Sequence, residues 1–138
     1  MSPPVFSHVT LGTSDLGRAM AFYDRVMGTL GLVRHSTGRT FAGYGHAADA
    51  RLGVNSLWIL LPENQQPASF GNGTNIAFLA RTRAMVQQFY DAALAAGGSD
   101  AGPPGLRPDV HPNFYAAYVR DLDGNKLAVV CHEDQGVD

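Results

Sequence analysis

The sequence predicts an α+β fold built from two βαβββ modules, and three observations carry that reading. The tripeptide Phe-Tyr-Asp occurs twice, at Phe22-Tyr23-Asp24 and Phe89-Tyr90-Asp91, 67 residues apart. The same offset pairs Asp15 with Thr82, both suited to cap a helix N-terminus, and Gly31 with Gly98 at the ends of the two helical segments. It also pairs His8 with Asn75, each opening a short apolar run. Matching punctuation at one fixed period is the signature of a repeated unit.

The elements follow in order. "HVTLGTS", from His8, is a short strand with β-branched residues and a polar stop. From Asp15, apolar residues recur at helical spacing at Leu16, Ala19, Met20, Tyr23, Val26, Met27 and Leu30, and Gly31 ends that helix as its C′ residue. "LVRHS", "RTFAGYG" and "NSLWILLP" are the three strands after it. In the second copy "NIAFLA" is the first strand, and Met85, Val86, Phe89, Ala93 and Leu94 mark the helix face, which "AAGG" closes. "GGSDAGPPGLRPDVHPN" reads as a long Gly/Pro loop, a kind of segment that often carries function. "FYAAYVRD" and "NKLAVVCH" are strands, and the Asp-Gly of "DLDGNK" between them is a hairpin signal. One domain over 1–138 is expected, with module one at about 5–62, a polar linker at about 63–73 and module two at about 74–133.

Bulk properties remove several function classes. The 138 residues suit a single core, with 45% hydrophobic and 16% charged residues and a formal net charge of -2. No Lys/Arg stripe offers a nucleic-acid footprint, and no apolar run is long enough for a membrane span. "MSPPVFSHV" lacks the charged and apolar regions of a signal peptide, and the lone Cys131 leaves no internal disulfide. A cytoplasmic protein is the expectation. No phosphate loop or nucleophile-elbow pattern occurs.

Three stretches, "HVTLGTSDLGRAMAFYDRVMGTLGL", "GNGTNIAFLA" and "HPNFYAAYVRDLDGNKLAVVCH", together resemble the vicinal oxygen chelate superfamily, which includes glyoxalase I, extradiol dioxygenases and the fosfomycin- and bleomycin-resistance proteins. The resemblance covers nearly the whole chain and implies curved mixed sheets forming a cup-shaped cavity around a ligand, and a homodimer. In metal-dependent members the ligands come from the first and last strand of each module. At those positions the chain has His8, Trp58 or Leu61, Asn75 and Ala128. Ala128 offers no donor atom and Asn75 only a neutral amide oxygen, whereas a catalytic zinc takes three protein ligands and the iron triad two histidines and a carboxylate.

The expectation is therefore a small-molecule-binding protein of this type with a degraded metal site, holding an apolar or aromatic metabolite. His8, Asn75, Trp58, His111, Tyr115 and Ala128 are its candidate ligand-binding residues. No metal is expected; a rewired site would use His8 with His111 or His132. The alternative is a metal-dependent lyase, isomerase or dioxygenase, or an enzyme using His8 as general base. A third reading is a structural protein whose dimer is the working surface. Phe41, Tyr44 and Tyr118 are further candidates for an apolar lining, and Arg107 for an anionic ligand. His35 and His46 read as solvent-exposed, and Cys131 as packed on the face opposite His132.

Overall fold

The computed structural model describes residues 2–134; Met1 and residues 135–138 of the expected 1–138 span lie outside the described part. The chain forms two compact units, one ending at Ser69 and the other starting at Phe70. Unit one contains β1 (His8–Gly12), α1 (Leu16–Gly28), β2 (Val33–Thr37), β3 (Phe41–Gly45), a 3-10 turn (Ala47–Asp49) and β4 (Ser56–Leu60). Unit two contains β5 (Ile76–Leu79), α2 (Arg83–Ala95), β6 (Ser99–Leu106), β7 (Tyr115–Arg120) and β8 (Lys126–Cys131). Each unit is thus βαβββ, and the protein is α+β, as the repeat predicts.

The two sheets have the same topology, β1-β4-β3-β2 and β5-β8-β7-β6. First and last strands pair in parallel (β1 with β4, β5 with β8) and the remaining pairs are antiparallel, so each sheet is mixed and open. The crossover helix of each unit lies on one face of its sheet, because a parallel pair needs a long connection that packs back onto it.

The helices keep the 67-residue offset at both ends, Leu16 to Arg83 and Gly28 to Ala95. Asp15 caps α1 by accepting from Arg18 N at 3.0 Å, and Thr82 caps α2 by accepting from Met85 N at 3.1 Å. α1 buries Ala19, Phe22, Tyr23, Val26 and Met27, a stripe at i, i+3, i+4, i+7, i+8 spacing. It meets Ala42, Tyr44, Leu57 and Ile59 of the sheet, all nearly sealed from solvent. Each such large side chain contributes about 1.5–3 kcal/mol. Val86, Phe89 and Ala93 of α2 do the same against β7 and β8.

Two expectations need correction. The residue of left-handed conformation that ends α2 is Gly97, at φ +99°, with Gly98 N closing onto Ala93 O; Gly31, at φ +76°, does end the first helical segment as expected. The strict 67-residue pairing thus slips by one at this point. The Gly/Pro stretch is also not one long loop: its first half is β6, an eight-residue strand. β6 lies at the sheet edge, where Pro103 and Pro104 withhold no inner hydrogen bond, and its register with β7 shifts twice.

The β7–β8 hairpin is locked by Asp121, which is 7% exposed. Its carboxylate accepts from Asp123 N, Asn125 N and Asn125 Nδ2, each at 2.9 Å. Gly124, at φ +87°, supplies the turn that only glycine adopts without strain.

Candidate functional site

Side-chain alternation decides which residues of unit one face away from α1. Leu57 and Ile59 meet the helix, so Ser56, Trp58 and Leu60 face the other way. Parallel pairing puts His8, Thr10 and Gly12 of β1 beside them, and antiparallel pairing adds Phe41 and Gly43 of β3. This face opens into a cavity of about 1250 Å³ whose walls include His8, Thr10, Phe41, Trp58, Leu60 and Glu63.

Trp58 forms the cavity's apolar centre, and its position is fixed on several sides. Its six-membered ring lies on Gly43, where a β-carbon would come within 2.5 Å of Cζ3. A second glycine, Gly53 at φ +69°, lets the loop pass against the indole, and Trp58 Nε1 donates to Gly53 O at 3.1 Å. Phe41 and His35 meet the indole edge-on, at centroid distances of 5.9 and 5.6 Å.

His35 is half-buried on this face, where exposure to solvent was expected. The cause is a bulge: the β2–β3 register shifts between Arg34 and Ser36, so His35 and Ser36 turn to the same side. His35 Nε2 then reaches Ser56 Oγ and its Nδ1 reaches Ser36 Oγ, both at 2.8 Å. His46, by contrast, is exposed as expected, at the start of the 3-10 turn.

His8 stands at the cavity wall with its Nδ1 2.9 Å from Ser7 Oγ, and it is exposed. Asn75, its counterpart in the repeat, lies exposed just before β5. The pairing registers settle which residue of β4 matches Ala128. Thr10 lies opposite Trp58, and Ala77, 67 residues beyond Thr10, lies opposite Ala128. Trp58, and not Leu61, is therefore the equivalent of Ala128.

In unit two the face away from α2 carries Ala116, Ala128 and Val130, with Phe114 and Tyr118 packed against them. His111 and His132 meet near this cluster, His111 Nε2 lying 2.8 Å from His132 Nδ1 with the rings stacked. Asn113 N donates to His111 Nδ1, which assigns the His111 proton to Nε2, donating to His132. Tyr115 lies on the opposite face: its hydroxyl accepts from Gln87 Nε2 of α2 at 2.9 Å, and Arg83 of α2 lies over its ring. Tyr44 is likewise turned under α1, where its hydroxyl donates to Asp24 Oδ1 at 2.8 Å. Burial, then that hydrogen bond, raise the Tyr44 pKa far above its ordinary value. Cys131, fully buried, faces Arg81 O on the side away from His132.

Of the expected residues, His8 and Trp58 share the unit-one cavity; His111 and Ala128 lie on the side of unit two turned away from α2; Tyr115 belongs to the core beneath α2. Among the described residues no three His, Cys, Asp or Glu side chains are grouped to hold a metal ion. No helix among them is long and apolar enough to cross a membrane.

Strand order, parallel first-to-last pairing and the duplicated register define the fold. The profile of the Glyoxalase/Bleomycin resistance protein/Dioxygenase superfamily matches residues 5–129, and the chain belongs to that superfamily. Among solved structures it is similar to a glyoxalase/bleomycin resistance protein from Albidiferax ferrireducens T118, with 34% identity, a TM-score of 0.80, and 91% of this chain and 97% of that one covered. The fold is shared with lactoylglutathione lyase from Agrobacterium tumefaciens (21% identity, TM-score 0.65, 99% and 100% covered). It is shared also with the fosfomycin resistance protein FosX from Mesorhizobium loti (18% identity, TM-score 0.62, 95% and 93% covered). None of the curated proteins matches the chain.

Proposed function

We propose that the protein binds an apolar or aromatic small molecule in the unit-one cavity, and that the metal centre of its metal-dependent relatives has been lost. The observation that carries this is the place of Trp58. An indole seated on Gly43 occupies the last-strand position of unit one and offers a ligand a flat apolar surface instead of a metal donor. Phe41 and Leu60 extend that surface, and His8, Thr10 and Glu63 supply polar contacts at its margin.

The donor set of the four equivalent positions supports the loss. A tryptophan ring and an alanine methyl donate nothing, and the amide of Asn75 is a weak ligand for transition metals. His111 and Ala128, on the side of unit two turned away from α2, are proposed to bind ligand in the same general way. The homodimer and the cytoplasmic location implied by the resemblance belong to this proposal; Leu79, 74% exposed on edge strand β5, offers the dimer an apolar contact.

A second reading, an enzyme, draws on His8: a histidine on the cavity wall with one ring nitrogen beside Ser7 Oγ is placed to exchange a proton with a ligand. A rewired metal site would combine His8 with His111 or His132. The two readings separate in a melting experiment with and without Zn²⁺, Mn²⁺, Ni²⁺ and Fe²⁺ and with small aromatic compounds, since whatever binds only the folded state raises its Tm. Stabilisation by an aromatic compound and by none of the metals is the expected result. A metal-induced rise that vanishes in His8→Ala would overturn it in favour of the rewired site.

A further inference from the structure

The segment after β4, expected as a polar linker, supplies part of the wall of the unit-one cavity. Leu61 N donates to Thr40 O at 2.9 Å, which holds the end of β4 beside the start of β3. The chain then turns at once, with Gln65 N donating to Pro62 O at 3.0 Å. Asn64 Oδ1 accepts from Gln66 N at 3.0 Å, and Ser14 Oγ accepts from Ala68 N at 2.8 Å. A β-carbon on Gly12 would stand 3.4 Å from Ala68 Cβ and 3.9 Å from Pro62 Cγ, so the segment lies against the end of β1. Tied down before and after the turn, it brings Glu63 to the cavity that contains Trp58.

Glu63 sets the sign of the charge there. Among the described residues it is the only Asp, Glu, Lys or Arg on the cavity wall. Arg39 and Arg51 each precede a wall residue, Thr40 and Leu52, but neither lines the cavity itself. The Glu63 carboxylate has no ion pair or hydrogen bond among the described residues. The hydroxyls of Thr10 and Thr40, on the same wall, are likewise without a hydrogen-bond partner there. An ionised carboxylate only accepts hydrogen bonds, and a hydroxyl can accept them, so these oxygens suit a ligand that donates. His8 is the other titratable group on the wall, and its Nδ1 is turned to Ser7 Oγ.

The aromatic part of the wall favours the same sign. Trp58 Nε1 is already engaged with Gly53 O, so the indole offers a ligand its ring surface and no donor. Phe41 stands edge-on to it and adds a second ring. The face of an aromatic ring carries partial negative charge and attracts cations, indole most strongly. A wall with two rings, unspent acceptor oxygens, one carboxylate and no lysine or arginine attracts cations and repels anions.

We propose that the ligand of this cavity is an arylalkyl amine bound as its ammonium cation, with the charge at Glu63 and the hydrocarbon body against Trp58 and Phe41. This rests on the reading that the cavity binds an apolar small molecule, and adds to it the charge of that molecule.

The test is calorimetric titration of the full chain with three ligands of one shape: 2-naphthylmethylamine, 2-naphthalenemethanol and 2-naphthoate. A buffer of about pH 8 keeps the amine charged and lies above the ordinary range of imidazole titration. The wild type is expected to bind the amine about tenfold more tightly than the alcohol, and the carboxylate most weakly. Added salt is expected to narrow the amine's advantage. Glu63→Gln is expected to lower the amine-to-alcohol affinity ratio about threefold, and Glu63→Lys to bring it to about one or below. Glu63 is exposed, so both variants leave the core intact, which melting curves check. An alcohol that binds the wild type as tightly as the amine would overturn the proposal and leave the apolar cavity standing. An affinity ratio unchanged in both Glu63 variants would do the same. If none of the three ligands binds, the reading of the cavity fails and the proposal fails with it.

Discussion

Trp58 and Ala128 occupy the same place in the two halves of the repeat, and their cross-strand neighbours are reversed in size. Trp58 lies opposite Gly43, and Ala128 lies opposite Tyr118. Each pair thus places one ring and one small residue on the face away from its helix, with the ring carried by the last strand in unit one and by the preceding strand in unit two. Cross-strand neighbours sit close enough that two rings at such a pair compete for the same space. The same register position is thus part of an aromatic–small pair in both halves.

Gly43 is the most exacting residue of the unit-one face. Gly43→Ala brings a methyl within 2.5 Å of the Trp58 ring, so the indole must tilt off the sheet. The expected loss is about 1–3 kcal/mol of stability, with the emission of Trp58, the chain's single tryptophan, shifted to longer wavelength as the ring meets water. Urea unfolding followed by fluorescence reads both effects. An unchanged spectrum and midpoint would show that the indole does not rest on Gly43.

Ala128→Glu places a carboxylate in surroundings built for a methyl group. Ala128 is 1% exposed and packed with Ala116, Val130 and Tyr118. Burying a carboxylate there without a partner costs several kcal/mol, or forces it to take up a proton. The variant is expected to melt well below the wild type, most of all at alkaline pH, and added Zn²⁺ is expected not to restore its Tm.

Tyr44 ties the α1 core to alkaline stability. Its folded-state pKa is raised by burial and by the bond to Asp24, so the folded protein keeps the phenolic proton at pH values where the unfolded chain releases it. That contribution is complete below the unfolded value of about 10 and is lost progressively as pH rises above it. Tyr44→Phe is expected to lose about 1 kcal/mol at neutral pH and to show a shallower decline above about pH 10. Denaturant midpoints for both proteins across that range check the slope.

The helices were legible in the sequence because their signals are local. Asp15, Thr82 and the apolar spacing between Leu16 and Met27 act within a few residues, and the repeat doubled each signal. β6 was hidden because Gly102, Pro103, Pro104 and Gly105 spell a loop in any local reading. Only its place at the sheet edge makes a strand of them. The position of His35 depends on a one-residue bulge, which alternation along β2 does not announce.

Within the site, alternation puts Tyr115 and Tyr118, three residues apart, on opposite faces of their strand, but does not say which of them the helix covers. That is settled by Gln87 and Arg83 reaching Tyr115 from α2. The choice between Trp58 and Leu61 likewise needed the β1–β4 register. The cavity residues sequence reasoning passed over, Thr10 and Gly43, carry no signal of their own; a threonine and a glycine in short strands become meaningful only once Trp58 is seen beside them.

The central claim is that the Trp58 face holds an apolar ligand, and the emission of Trp58 during titration with 2-naphthol tests it most directly. The account predicts saturable quenching in the wild type, unchanged by prior chelation with EDTA, and its loss in Thr10→Arg, which puts a charged side chain on the same wall. Quenching that never saturates, or that is equal in the wild type and Thr10→Arg, would contradict it.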